Sequence, residues 1–539
     1  MRQFIFFLLS YFLILSAAAQ VVFVERHELP ALSYDPSFEL MKIPSGLVAF
    51  RTYQERSFSS DREFQYFLSD QNLQASGLNE VSMKPGFDMM GYDTDEDQLY
   101  VLFTKGTNPS SEKYVLHLDL STQVGVEYPA DNLLPMDLVE FLVLDKQAIF
   151  LGISDTRPVL QILSFADNSV HTVQGIYGNE TQVIQVVKIP ELEAFDVVVQ
   201  RKLPLKVKET AVLTFDLQGN LIRELKLGGL GEDSQEFLDG LLLPATSFPQ
   251  AMVGAFGKAS RNSYEGMYLL EINEFGEVDP FFYTLEDFAN FYNYLPEKRK
   301  EKQNRYVASQ LEKGKKATVR NTYAVRAVYE KEDSYVMYFD QLSETSSRGQ
   351  GRVAPPSTGI PYRFDRFNRL GYVPYFMDPL FWPNASGQAY SIVTEYTYRS
   401  AHFIEVAKTG QVLWDNASSY EDFRTTYPEP FGEFAVQGKE VIHLYLLNDQ
   451  LKLNLFKAGE KILENQTFPL DLPEGQGSIQ YTDLESLRLG HWYGPYFLLS
   501  GLQKVRFTNE KQQEEIKEVF FMSKILVDAN LIPPKEDQD

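Results

Sequence analysis

One phrase recurs along this chain and restricts what it can fold into. An apolar, β-prone run reaches a short polar turn, and a second run returns from it. Tyr66-Phe67-Leu68 runs into Ser69-Asp70-Gln71-Asn72, and Tyr114 to Leu118 runs into Asp119. Leu160 to Val170 turns at Asp167-Asn168, Ala211 to Leu221 at Asp216 to Asn220, and Tyr268 to Val278 at Asn273 to Gly276. His402 to Leu413 turns at Lys408-Thr409-Gly410, and His443 to Leu451 at Asn448-Asp449. Asp, Asn and Gly suit these turns because they tolerate positive φ or bond their own backbone. The apolar flanks read as strands.

The first four turns lie about 45 to 50 residues apart, which is the period of a four-stranded blade; later spacings are longer. Repeated antiparallel sheets that bury their faces against one another make a β-propeller, an arrangement that leaves only short sheet edges. The 40 Phe and 31 Tyr agree, since aromatics favour strands. A propeller must also be closed. Val21-Val22-Phe23-Val24 and Val519-Phe520-Phe521-Met522 are both strand-like and are expected in one blade. The expected fold is all-β, a propeller of about seven or eight blades over residues 20–531 with an inserted α-helical hairpin.

The first nineteen residues predict export. Arg2, an apolar run from Phe4 to Leu15, and Ser16-Ala17-Ala18-Ala19 are the three parts of a signal peptide. That run is shorter than the roughly 20 residues a membrane helix needs, and no second run of that length follows. With no cysteine, there is no disulfide, no thiolate metal site, and no lipid attachment through a cysteine. A cysteine-free exported chain suits a periplasm, cell surface or extracellular medium of bacterial type. The net charge of −24 repels nucleic acid and anionic lipid. Residues 532–539 form an acidic tail.

Two segments break the repeat. In 284–318, Thr284-Leu285-Glu286-Asp287 matches a capping box with Asp in the last place. Leu285, Phe288, Phe291, Tyr292 and Leu295 follow at helical spacing. Pro296 can open a second helix and Gly314 can end it. Eight basic residues against three acidic make Glu297 to Lys316 a cationic island, with Lys298, Arg299, Lys302 and Arg305 as candidate partner-docking residues. The second segment, 341–393, is expected as a long loop. It holds the candidate ligand-binding residues Arg363, Arg366, Arg369, Tyr372, Tyr375 and Trp382. Flat rings stack on sugar faces and guanidinium forks grip carboxylates.

The chain from about 280 to 525 resembles an uncharacterised family of secreted bacterial proteins. Tyr283 to Phe291, Tyr294-Leu295, Lys313-Gly314-Lys315-Lys316, Gly410 to Asn416, Trp492-Tyr493-Gly494 and Gly501 to Lys504 carry that resemblance. It implies a shared fold and export and brings no activity with it. Met252 to Gly257 with Glu265 to Tyr268 is similar to a blade opening of lactonase-type propellers, without a matching set of catalytic positions.

Metal and catalytic motifs are sparse. The six histidines (27, 117, 171, 402, 443 and 491) show no metal-ligand spacing. Asp93, Asp95 and Asp97 begin like a calcium loop, but Gln98 stands where its glycine belongs and Thr104 where its glutamate belongs, so a polar turn is expected. There is no G-x-S-x-G elbow, and Gly228-Gly229-Leu230-Gly231 lacks the lysine and serine of a P-loop. No metal or cofactor is expected. The expected role is a binding or scaffold protein for a protein or glycan; the alternative is a hydrolase or lactonase-like enzyme acting at the central channel.

Overall fold

The computed structural model describes residues 21–528 except 55–61, 107, 179–180, 203–207, 228–234, 247, 259–262, 320, 348–391, 426–431, 474–476 and 509–511. Eight antiparallel sheets, seven of four strands and one of five, make the chain an eight-bladed β-propeller. The expected signal peptide and acidic tail lie outside the described residues. No helix among the described residues is long and apolar enough to cross a membrane. The chain divides into two compact units, one of residues 1–40, 69–77 and 431–539, the other of 41–68 and 78–430.

The larger unit contains blades 2 to 6 and nearly all of blade 1. Blade 2 is representative, with strands Asp88–Asp95, Gln98–Thr104, Lys113–Asp119 and Val124–Pro129. Its second strand is sandwiched on both faces, so Leu99 to Phe103 can be apolar without a break, and all five are buried. Its fourth strand is an edge, and Val124 and Val126 are exposed. The expected turns fall between third and fourth strands in blades 1 to 6. Asn168, Gly219, Gly276 and Gly410 adopt the left-handed φ such turns require.

First strands carry a second repeat. In blades 2 to 6 the pairing of first and second strands is interrupted by a bulge, at Met89/Gly91, Leu138/Glu140, Val183/Gln185, Phe237/Asp239 and Val325/Ala327. Near three of these bulges a buried polar side chain reaches the first strand of the following blade. Asp93 accepts the Val143 amide at 2.7 Å, Gln185 the Leu242 amide at 2.8 Å, and Asp239 the Val325 amide at 2.7 Å. Lys188 Nζ then ties Asp93 (2.9 Å) to the Thr94 and Val143 carbonyls. The aspartates that resemble a calcium loop are therefore engaged with neighbouring blades: Asp93 as above, Asp95 with the Asp145 amide and Asp97 with Ser45.

The smaller unit contains blades 7 and 8. Blade 8 joins the two ends of the chain, as expected. Val21–Pro30 runs antiparallel to Glu514–Val527, from Val21 opposite Val527 to Pro30 opposite Val519. Val21, Phe521 and Ile525 share a core with Leu444 and Leu453 of blade 7. Arg26 stacks on Phe521, with its guanidinium carbon 4.2 Å from the ring centre, and its Nη2 donates to Gln503 at 2.9 Å.

The hairpin expected over 284–318 is realised as a 3-10 turn, Leu285–Asp287, followed by one α-helix, Glu297–Glu312. The expected loop 341–393 is narrower at both ends. Strands Ser334–Ser347 and Ile392–Ala407 of blade 6 pair as far as Ser347 opposite Ile392, because Leu342 and Tyr398 continue a buried ladder.

Candidate functional site

The α-helix Glu297–Glu312 is the one helix of this length among the described residues, and none of its residues is fully buried. Its support is built from the segment before it. Thr284 donates its amide (2.7 Å) and its hydroxyl (2.9 Å) to Asp287, forming the expected box around the 3-10 turn. Leu285, Phe288, Phe291 and Tyr292 then enter the shared core of blades 5 and 6, among Val253, Leu269, Tyr323, Met337 and Ile404.

Their spacing is helical and their backbone is not. A helix would commit the Asn290 amide to the carbonyl four residues back. Instead the buried Asp415 carboxylate accepts that amide, at 2.9 and 3.1 Å to its two oxygens. Asn293 donates to Asn416 at 3.1 Å, and Tyr283 OH to the Gly410 carbonyl at 3.0 Å. The anchor is thus bonded to the fourth strand of blade 6. Burial pushes the Asp415 carboxyl up to about 6, opposed by the Asn290 and Ala289 amides.

Beneath the anchor lies His402, enclosed by the rings of Phe291 (4.5 Å between centres), Tyr323 (5.3 Å) and Tyr294 (5.4 Å). Burial pushes this imidazole down to about 3, so it is neutral. Its Nε2 pairs with Ser400 Oγ at 2.9 Å, and Ser400 donates to Gln341 at 2.8 Å. A 1% exposed histidine in such a chain packs and orients.

The helix opens at Pro296 without a side-chain cap, and Gly314 (φ 64°) ends it, with the Lys315 amide bonded to the Gln310 carbonyl at 2.9 Å. Val307 is half-buried against the core. At 3.6 residues per turn, Lys298, Lys302 and Arg305 fall within about 60° of one another, on the side opposite Val307. Arg299 and Tyr306 flank them. Lys298, Arg299, Lys302 and Arg305 are all exposed. Among the described residues, no hydrogen bond or ion pair engages the side-chain nitrogens of Lys298, Arg299, Lys300 or Lys302. Arg305 Nε reaches the Glu301 carbonyl at 3.3 Å.

The charges at its start do not serve the helix. Lys298, Arg299 and Lys300 occupy its first turn, where the backbone dipole disfavours cations by about 0.3–1 kcal/mol each. Lys298 and Lys302, four residues apart, repel as well.

The structure thus brings Lys298, Arg299, Lys302 and Arg305 together on one element. Arg363, Arg366, Arg369, Tyr372, Tyr375 and Trp382 lie outside the described residues. Sequence reasoning did not find the buried pair Arg326–Asp340 (2.7 Å) with Tyr338 and Tyr420, which sits in the blade 6 strands leading toward residues 348–391. An arginine inside an apolar strand was the available signal. Among the described residues, no group of three or more His, Asp or Glu side chains could hold a metal ion.

No family profile matches the chain, and no curated protein matches it. Solved structures similar to it include the β-propeller domain of the Trilobed protease from Pyrococcus furiosus, at 8% identity and TM-score 0.34, over 81% of this chain and 99% of that one. The polysaccharide lyase Uly1 is similar at 10% identity and TM-score 0.36, over 81% and 89%. The Pyrococcus horikoshii acylaminoacyl peptidase is similar at 8% identity and TM-score 0.31, over 79% of this chain and 50% of that one. The propeller assignment rests on the strand order and register described above.

Proposed function

We propose that this chain is an exported β-propeller that acts as a binding scaffold, docking an acidic partner on the face formed by Lys298, Arg299, Lys302 and Arg305. One observation carries the reading. Lys298, Arg299 and Lys302 make no hydrogen bond or ion pair among the described residues and stand with Arg305 on exposed helix positions of a chain whose net charge is −24, and Lys298 and Arg299 weaken the helix start that bears them. The packed and hydrogen-bonded anchor supports it, because a docking element gains affinity when its conformation is fixed in advance. Placement in the periplasm, at the cell surface or outside the cell follows from the signal-like first nineteen residues.

The test is charge reversal of Lys298, Lys302 and Arg305 to Glu in the full chain, followed by pull-down from native envelope and culture-supernatant fractions. Partners bound through this face disappear from the triple variant while its melting profile stays that of the wild type. An unchanged partner set would end the proposal.

A further inference from the structure

The docking face has a shape that selects among acidic partners. A standard protein–protein interface covers about 800 Å² per partner and centres on desolvated aromatic or apolar anchors. The outward face of a 16-residue helix is about 24 Å long and 10 Å wide, so about 240 Å². Its apolar content is Tyr306, 37% exposed. Leu311, 58% exposed, projects from the other side of the helix. The face is too narrow and too polar for a stable protein interface of its own.

It is well formed for a strand of charge. Lys298, Lys302 and Arg305 stand three or four residues apart, so about 4.5–6 Å along the axis, and Lys313 extends the row to about 22 Å. Glu301 and Glu312 border it. Duplex DNA packs one charge per about 1.7 Å and presents a broad anionic surface, which the acidic blades repel. A single flexible polymer of lower charge density can follow the row and meets less of that repulsion. A linear polysaccharide with a carboxylate on each sugar unit repeats its charge every few ångströms, and Tyr306 offers a ring on which a sugar face can stack.

Resting on the docking reading above, we infer that the partner is a linear acidic glycan of polyuronate type, held along Lys298, Lys302, Arg305 and Lys313, with Tyr306 against a sugar ring. Binding is electrostatic. At about 0.7 counterions per contact, four contacts lower the affinity about fiftyfold between about 50 and about 200 mM salt.

The experiment uses the full chain in affinity electrophoresis and titration calorimetry against three probes of matched charge: polygalacturonate, poly-glutamate and single-stranded DNA. Polygalacturonate is expected to bind, with that salt dependence. The triple Lys298→Glu, Lys302→Glu, Arg305→Glu variant should lose at least tenfold in affinity, and Tyr306→Ala should weaken polygalacturonate alone. Poly-glutamate or DNA binding as tightly as polygalacturonate, and failing in the triple variant, overturns the glycan assignment and leaves the docking face standing. Failure of all three probes at low salt overturns both, as does binding that the triple variant leaves unchanged.

Discussion

Removing the Asp340 carboxylate should destabilise blade 6 more than any surface change, and the structure sets the size of the loss. Arg326 is 1% exposed and Asp340 not at all, with Nε and Oδ2 2.7 Å apart. Burial acts to lower the Arg326 pKa, but Asp340 and the nearby tyrosines outweigh it and hold the guanidinium above its usual value. Tyr338 and Tyr420 both donate to Oδ1, at 2.8 and 2.6 Å. Asp340→Ala therefore takes the carboxylate away from a buried cation, a loss of about 3–5 kcal/mol. The two tyrosine hydroxyls lose the acceptor they share but are 2.8 Å apart and can still bond each other, adding about 1 kcal/mol. The expected total is about 5 kcal/mol. Urea unfolding followed by fluorescence measures it, and hydrogen exchange should localise it to Thr322–Glu330 and Ser334–Ser347. The double variant Arg326→Met/Asp340→Leu removes both charges and should recover most of the loss. A single-variant loss under about 1 kcal/mol, or a double variant worse than the single, would refute the assignment of this pair as a buried, mutually dependent unit.

Two further outcomes concern the helix anchor. Asp415 has a folded pKa of about 6, above the 3.8 of a free aspartate, so the folded state holds its proton more tightly. Its contribution is therefore fully present below about pH 4 and lost as pH rises through 6, which should make Asp415→Asn more stable than wild type by about 3 kcal/mol at pH 8 and by much less at pH 4; parallel pH profiles for the two proteins in urea unfolding would contradict this. Phe291→Ala empties a 2% exposed site beside His402 and should cost about 4 kcal/mol, loosening the anchor so that trypsin cuts within Glu297–Glu312 sooner than in wild type; an unchanged digestion pattern would count against the anchoring role.

The sequence made legible what depends on local chemistry. The Asp, Asn and Gly turns mark the same hairpin in six successive blades, because each turn needs either a residue that takes positive φ, as at Asn168, Gly219, Gly276 and Gly410, or a side chain that accepts the turn's amides, as at Asp70 and Asp119. Gly314 and Pro296 bound the helix for the same kind of reason. The bent course of 288–295 was not legible, since the carboxylate that takes the Asn290 amide lies 125 residues away on Asp415. Nor were the ties from Asp93, Gln185 and Asp239, whose partners are amides 50 to 86 residues distant. A polar residue inside a strand says that something must satisfy it, and only the fold says what. Within the candidate site, the cations were readable as a run of charge. Their outward alignment needed Val307, half-buried in the core, to fix which side faces water.

The pairing of Val21–Pro30 with Glu514–Val527 also dictates an order of events. The first strand of the propeller to be synthesised is among the last to find its place, because its partner is made nearly 500 residues later. Bringing such distant segments together costs about 5 kcal/mol in loop-closure entropy. Until they meet, Glu514–Val527 presents an unpaired strand edge, the kind of surface that recruits other chains. A peptide copying Val21–Pro30 would compete for that edge, so the moment before blade 8 is completed is when this protein is most open to mispairing with a second copy of itself.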